Sequence, residues 1–179
     1  MERHEIVISG SGGQGVVLGG IILAEAAAIY EDGYATHNQS YGPEARGGAS
    51  RSEVIISKKP IHFPEVEEPD VLVALTQEAA SKFAAQVKPG GTLIVDARVK
   101  TIPPNDKIKT YVVPICDAAE KIRGEIVTNM VTLGVLAAIT GLVGQEALKK
   151  AVLARVPRGT EEINLKALAA GEKIGEELK

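Results

Sequence analysis

The sequence has one cysteine, three scattered histidines and no tryptophan, and each shortage excludes a class of protein. A single cysteine, Cys116, allows neither an internal disulfide nor a cysteine-ligated iron–sulfur cluster. His4, His37 and His62 lie far apart, without the spacing of a zinc site. Aromatic residues make up 3% of the chain, so the core must consist of Val, Ile, Leu and Ala, as is typical of helices packed on a parallel sheet. Any redox chemistry therefore needs a cofactor carried elsewhere.

Neither a strong charge nor a long apolar run is present. The net charge is −3 with 24% charged residues, which argues against a nucleic-acid binder or a protein that rides on acidic membranes. No signal peptide or membrane span is visible, and we expect a cytoplasmic protein. With 179 residues, the chain is expected to form a single domain over residues 1–179.

A glycine-rich turn near the N-terminus organises the rest of the chain. Residues 6–9 read as a buried strand and residues 16–30 as a helix, and G-x-G-x-x-G lies between them. Glycine allows positive φ and close approach, and the helix start presents free N–H groups, so the turn can hold a phosphate or a carboxylate. The candidate binding residues are Gly10, Gly12, Gly13, Gln14 and Gly15.

The turn allows two other interpretations. It can be simple tight packing, or it can bind NAD, which requires an acid at the end of the second strand. That strand is predicted at residues 34–36 and is followed by no acid, while Glu31 and Asp32 come too early. An anion-sized ligand or the backbone of a partner is therefore favoured over a dinucleotide.

Residues 36–51 are polar and almost free of aliphatic side chains, between two segments that are rich in them. The stretch is either a solvated loop or a binding surface, and we favour the surface because it combines Tyr, His and Arg with glycines. The predicted interface residues are His37, Asn38, Gln39, Ser40, Tyr41, Gly47 and Gly48. Arg46 and Arg51 are predicted to face one acidic ligand together with the glycine turn.

The remaining pattern predicts an α/β fold. Strands are expected at residues 52–57, 71–75, 92–96 and 111–115, and helices at 77–87, from 117, at 130–139, 145–155 and 161–178. This order implies a single doubly wound, mostly parallel, Rossmann-like sheet with helices on both faces and a helical C-terminal portion. Cys116 is expected to be a buried, inert thiol at a strand end, and Asp96 to lie where the chain leaves the sheet. Residues 130–139 are apolar all round, which suggests burial against another subunit, with Gly134 allowing close helix approach.

Four segments together carry a resemblance to a known family. They are residues 10–16, 35–54, 128–130 and 164–167, and the second of them contains the specific sequence SYGPEARGG. The chain resembles the γ subunit of 2-oxoacid:ferredoxin oxidoreductases, in the version found in 2-oxoglutarate enzymes. The resemblance covers nearly the whole chain.

The resemblance implies a subunit that is not catalytic alone, and no catalytic or metal-binding residue is assigned. Such complexes convert a 2-oxo acid and coenzyme A into an acyl-CoA, carbon dioxide and reduced ferredoxin. The resemblance implies that thiamine diphosphate with Mg is held by the α and β subunits, and that the iron–sulfur clusters lie in β or in a small ferredoxin-like δ subunit. This chain would contact coenzyme A through its glycine turn, Arg46 and Arg51, or would use the same motifs to dock partners; alone, it would form a homodimer at most. The alternative is a stand-alone nucleotide-binding protein or NAD-dependent enzyme.

Overall fold

The computed structural model describes residues 3–41 and 49–179, which form one six-stranded sheet with helices on both faces. The strands are β1 (His4–Gly10), β2 (Tyr34–Tyr41), β3 (Ser50–Ser57), β4 (Val71–Ala74), β5 (Thr92–Asp96) and β6 (Lys109–Val113). The helices are α1 (Val16–Ile29), α2 (Gln77–Phe83), α3 (Ile115–Ile122), α4 (Thr128–Thr140), α5 (Gln145–Arg155) and α6 (Glu161–Glu177). Short 3₁₀ turns follow α2 at Ala84–Gln86 and precede α4 at Glu125–Val127.

The strand order is β2-β3-β1-β4-β5-β6. β1, β4, β5 and β6 pair in parallel, whereas β3 is antiparallel to both β1 and β2. Five strands therefore point the same way, and the expected mostly parallel α/β sheet is confirmed. The prediction did not include the reversed strand β3.

The core has two layers because side chains alternate across the strands. Ile8, Val54 and Ile94 face the side that is covered by α1 and by α3 to α6. Val7 and Leu93 face the other side, which is covered by α2 and the turn that follows it. Thr76 begins α2 by accepting a hydrogen bond from the Ala79 backbone N–H at 3.2 Å.

α4 is buried by the chain itself. Thr128 to Ala138 are all buried, and α6 lies against the helix at backbone distance. A Cβ on Gly134 would meet the Leu168 carbonyl oxygen, and would lie 2.6 Å from the Glu172 nitrogen. Gly134 does permit close helix approach, as predicted. The apolar surface of α4 needs no second subunit to cover it, so that part of the sequence interpretation is corrected.

The largest difference from the sequence interpretation concerns residues 37–41. They were predicted as loop and interface, but they continue β2, and β3 begins at Ser50 two residues earlier than expected. β2 is an edge strand that pairs with β3 alone among the described strands, so its outward side chains can be polar.

Smaller corrections concern element ends. β6 runs over Lys109–Val113, and Cys116 belongs to α3 and not to a strand end. In the described parts of the chain no single helix is long and apolar enough to cross a membrane. Only α3 and the segment Glu125–Thr140 taken together are long and apolar enough, and the chain bends by 116° between them.

Candidate functional site

The glycine turn lies at the carboxyl ends of the parallel strands. Gly10 ends β1 and pairs with Ser50 at the start of β3, which in turn pairs with Tyr41 at the end of β2. The fold thus brings the glycine turn, the end of β2 and the start of β3 to the same end of the sheet. Ligands in open α/β sheets bind at this end.

Different glycines of the turn are required for different reasons. Gly13 and Gly15 have φ of 94° and 68°, a region that side chains rarely adopt. A Cβ on Gly15 would also lie 2.5 Å from Nδ2 of Asn129, at the start of α4. Gly12 and Gly13 are exposed, and a Cβ on Gly12 would meet nothing within 4 Å. Gly12 is therefore the part of the turn that is open to a ligand.

Gln14 holds the turn together from inside. Its side chain is buried, and its Oε1 accepts a hydrogen bond from the Ser11 N–H at 2.8 Å. Its Nε2 donates to the Cys116 sulfur at 3.7 Å. A Cβ on Gly10 would clash with the same Oε1. The carboxamide of Gln14 is thus engaged within the protein, whereas the sequence interpretation placed Gln14 among ligand contacts.

A polar cleft of about 150 Å³ lies beside the turn. It is lined by Gln14, Arg98, Cys116, Glu120, Glu125 and Thr128. Glu125 lies over Gly13, with Oε2 3.6 Å from the position of a Cβ on that residue. Arg98 is the one cation among the described residues that line the cleft, and its Nη2 lies 2.6 Å from Asp117 and 2.7 Å from Glu120. These carboxylates raise the pKa of Arg98, first through Glu120 and then through Asp117, so its charge is already balanced.

Asp96 and Cys116 connect the cleft to the sheet. Asp96 is fully buried at the end of β5 and accepts hydrogen bonds from the Cys116 N–H at 2.8 Å and the Arg98 N–H at 2.9 Å. Burial, with the Asp96 carboxylate next in importance, raises the pKa of Cys116 to about 12. The thiol is buried, as expected. Asp96 fixes the start of α3, which is a structural role.

Arg51 does not reach the turn. Its Nε lies 2.8 Å from Glu53 Oε1, and its guanidinium stacks 4.7 Å from the centre of the Phe83 ring. Its Nη1 donates to Gln86 at 3.3 Å. All these partners belong to β3, α2 or the turn after α2, so the predicted pairing of Arg51 with the glycine turn is not found.

His37 packs under α1 and not at an open surface. Its Nε2 is 2.7 Å from Ser52 Oγ on the neighbouring strand, and burial lowers its pKa. A Cβ on Gly20 of α1 would lie 2.9 Å from the His37 ring and would clash with Ser52. Gly20 is glycine because His37 and Ser52 occupy this space.

The other predicted interface residues, and the predicted binding residue Arg46, lie either on β2 or outside the described part of the chain. Asn38, Gln39 and Ser40 are exposed on β2, and Asn38 donates to the Pro64 carbonyl at 2.8 Å. Tyr41 ends the strand. Arg46, Gly47 and Gly48 lie outside the described residues.

Sequence reasoning missed Glu125 and Asn129 as neighbours of the turn. Both come more than 100 residues after it, and only the packing of α4 against α1 brings them there. Asn129 belongs to the short segment 128–130 that contributed to the resemblance, so its proximity to Gly15 gives that segment a physical role.

Among the described residues, no group of three or more His, Cys, Asp or Glu side chains is arranged to hold a metal ion. The single cysteine of the chain does not suit an iron–sulfur cluster either. The described side chains therefore do not form a donor set that fits the metal centres that the resemblance implies for the complex.

Residues 5–174 match the family described as pyruvate ferredoxin/flavodoxin oxidoreductase. The chain belongs to this family. The 2-oxoglutarate synthase subunit KorC of Methanocaldococcus jannaschii is 47% identical over 98% of this chain and 96% of that protein. The common γ subunit of the pyruvate/ketoisovalerate oxidoreductases of Pyrococcus furiosus is 33% identical over 83% of this chain and 84% of its own.

A solved structure shares the fold at similar identity. It is the γ subunit of a keto/oxoacid ferredoxin oxidoreductase from Geobacter sulfurreducens PCA, which is 47% identical, with a TM-score of 0.89 over 98% of this chain and 97% of that one. The family and its subunit type, which the sequence motifs suggested, are confirmed.

Proposed function

We propose that this chain is the γ subunit of a 2-oxoglutarate:ferredoxin oxidoreductase, which oxidatively decarboxylates 2-oxoglutarate to succinyl-CoA. The choice of 2-oxoglutarate as substrate is supported by the different sequence identities of this chain to two kinds of relative. The 2-oxoglutarate synthase subunit is 47% identical, against 33% for a subunit shared by pyruvate and ketoisovalerate enzymes, and both align over most of the chain. The complex is proposed to work in the cytoplasm with ferredoxin as its electron acceptor.

The chemical steps belong to partner subunits in this proposal. Thiamine diphosphate with its magnesium, and the iron–sulfur clusters, would be bound by α, β or a ferredoxin-like δ subunit. The described residues of this chain contain no ligand cluster for a metal, and the thiol of Cys116 has a pKa raised to about 12, which makes it a poor nucleophile. In this proposal the chain contributes the binding surface at the end of the sheet where the glycine turn lies.

At that end of the sheet we propose that the exposed part of the turn, Gly12 and Gly13, contacts a phosphate of coenzyme A. The open space above Gly12 and the N-terminus of α1 favour this role. Arg46 stays a candidate for the same phosphate. Docking of a partner subunit on the turn is the competing role, and its argument is that the carboxylates of Glu120 and Glu125 in the adjacent cleft would repel a phosphate.

The topology disfavours the NAD-dependent alternative. In dinucleotide-binding folds the strand after the first helix lies parallel to and beside the first strand, where its end supplies an acid for the ribose. Here β3 lies beside β1 and runs antiparallel, and β2 is one strand further away. β2 also carries His37 to Tyr41, without an acid, at its carboxyl end.

The complex reconstituted from α, β and this chain tests the function. We expect coenzyme A-dependent ferredoxin reduction with 2-oxoglutarate to exceed that with pyruvate by at least about tenfold, and to be lost when this chain is omitted. Equal or higher activity with pyruvate or with a branched 2-oxo acid would refute the choice of substrate.

Two substitutions at Gly12 distinguish the roles of the turn. Gly12→Asp and Gly12→Asn differ in charge but hardly in shape, and the space around Gly12 accepts either. If a phosphate binds there, Gly12→Asp raises the KM for coenzyme A about tenfold more than Gly12→Asn does. If a partner backbone docks there, both variants weaken assembly to the same extent and leave no difference in KM.

A further inference from the structure

A second cleft lies on the helical side of the molecule, between α1, the α3–α4 connection and the α5–α6 connection. Its volume is about 220 Å³. Most of its wall is apolar and comes from Leu18, Ile126, Val127, Val156, Pro157 and Ile163. Small-molecule sites are usually larger, at roughly 300–1,000 Å³. The size suits one or two side chains better than a cofactor.

In the part of the chain that the structure describes, Arg123 is the single charged residue that lines this cleft. Among the described residues its guanidinium makes no ion pair and no hydrogen bond, unlike Arg98 and Arg155, which are paired with carboxylates. The polar groups in the wall are neutral, and Asn164 already donates to Thr160 at 2.8 Å. The cleft therefore presents one free positive charge beside an apolar wall.

Ile126 stands at this cleft with 68% of its surface exposed, although the next residue, Val127, is buried. Gly124, with φ of 84°, and the 3₁₀ turn Glu125–Val127 fix the backbone that holds Ile126 outward. A large exposed apolar side chain beside an apolar cleft is typical of the centre of a protein interface. The surface formed by Leu18, Arg123, Ile126, Val156, Pro157 and Ile163 is called the Arg123 cleft below.

We infer that the Arg123 cleft docks a segment of a partner subunit that presents a large apolar side chain with a carboxylate next to it. The apolar side chain fills the cleft against Ile126, and the carboxylate pairs with Arg123. Charge complementarity argues for this chemistry, since the cleft holds a cation and no acid. The inference rests on the proposed function, because it takes this chain to be one subunit of a larger complex.

The test compares Ile126→Asp with Ile29→Asp in the complex retained on tagged α and β subunits. Ile29 is a matched control, because it is 65% exposed at the end of α1 and does not line the cleft. Ile126→Asp is expected to reduce the amount of this chain that is retained at least tenfold, and Ile29→Asp to leave it unchanged.

A second pair of variants tests the charge. Arg123→Glu is expected to weaken retention about tenfold, whereas Lys166→Glu, the same charge change at an exposed position of α6, is not. The thermal midpoints of the isolated variants establish that each one is folded before retention is compared.

Equal retention of the Ile126→Asp and Ile29→Asp variants would overturn the inference and leave the proposed function intact. A dimer of the isolated chain that Ile126→Asp dissociates would also overturn it, since the cleft would then receive a second copy. If the wild-type chain is not retained by α and β at all, the proposed function fails, and the inference fails with it.

Discussion

Glu125 lies over Gly13, with its carboxylate oxygen 3.6 Å from the position that a Cβ on the glycine would take. The two residues are 112 positions apart in the sequence. The Glu125 carboxylate places a negative charge at the exposed part of a turn that otherwise suits an anion. An anionic ligand that approaches Gly12 and Gly13 must therefore displace this carboxylate or bind against its repulsion.

The first prediction follows from this repulsion. Glu125→Gln should tighten the binding of coenzyme A to the assembled complex by about two- to fivefold, as expected for an exposed charge pair. The gain should diminish as salt is added. Calorimetric titration measures it, with Glu177→Gln at the exposed end of α6 as the control. Weaker binding in Glu125→Gln would mean that this side chain supports the ligand.

The contact of α4 with α6 gives the second prediction. Gly134→Ala should lower the free energy of unfolding by about 1–3 kcal/mol, because the added Cβ would press on the backbone of α6 at Leu168 and Glu172. The matched control is Gly19→Ala in α1, where a Cβ would meet only the Asn129 side chain at 3.5 Å. Gly19→Ala should be neutral or stabilising by up to about 1 kcal/mol, since alanine favours helix. Urea unfolding measures both, and equal destabilisation would contradict the helix contact.

The Cys116 thiol gives the third prediction. Because its pKa is raised to about 12 by burial and by Asp96, only about one thiol in ten thousand is ionised at pH 8. The folded chain should therefore react with iodoacetamide at least about a hundredfold more slowly than the same chain in guanidinium chloride. Mass spectrometry of samples taken over time measures the two rates. Similar rates would show that the thiol is open and ionised in the folded protein.

His37 gives the fourth prediction. Burial lowers its pKa below the usual 6.5, so the folded protein binds this proton less readily than the unfolded chain does. Stability should consequently fall as the pH drops through 6.5 towards the lower pKa of the folded state, and should change no further from this source below it. His37→Gln should flatten that part of the curve, and His62→Gln, at an exposed position, should not. The thermal midpoints of the wild-type chain and of both variants, measured between pH 5 and pH 8, test this prediction. Parallel curves for the wild type and His37→Gln would contradict it.

The local parts of the site were predictable from sequence. The turn at Gly10 to Gly15 was recognisable because glycines, a preceding strand and a following helix lie within one short segment. The close approach at Gly134 was recognisable because small residues interrupt an apolar helix. Both features depend on residue type and spacing alone.

The start of β2 was predicted at residues 34–36, but its polar continuation over residues 37–41 was not recognised, because β2 is an edge strand and this part shows no apolar alternation. A signal for the antiparallel hairpin was nevertheless present. Residues 42–49 are too few for the crossover of a dozen or more residues that a parallel pair needs. No sequence signal indicated that Glu125 lies beside the turn or that Arg51 stacks on Phe83, because both contacts depend on how elements distant in sequence pack together.

Glu172 of α6 gives the last prediction. This residue is 7% exposed beside α4, and its Oε1 has no hydrogen-bond partner among the described residues. Burial raises the pKa of Glu172 despite the attraction of Lys149. Because the folded state holds this proton more tightly than the unfolded chain, stability should fall as the pH rises through the usual value of 4.5 to the higher pKa of the folded state. Glu172→Gln removes the buried charge, and should raise the thermal midpoint at pH 7.5 by a few degrees and less at pH 4.5. Glu177→Gln, at the exposed end of the same helix, is the control. A lower midpoint for Glu172→Gln at pH 7.5 would mean that the ionised carboxylate stabilises the fold, through Lys149, by more than its burial costs.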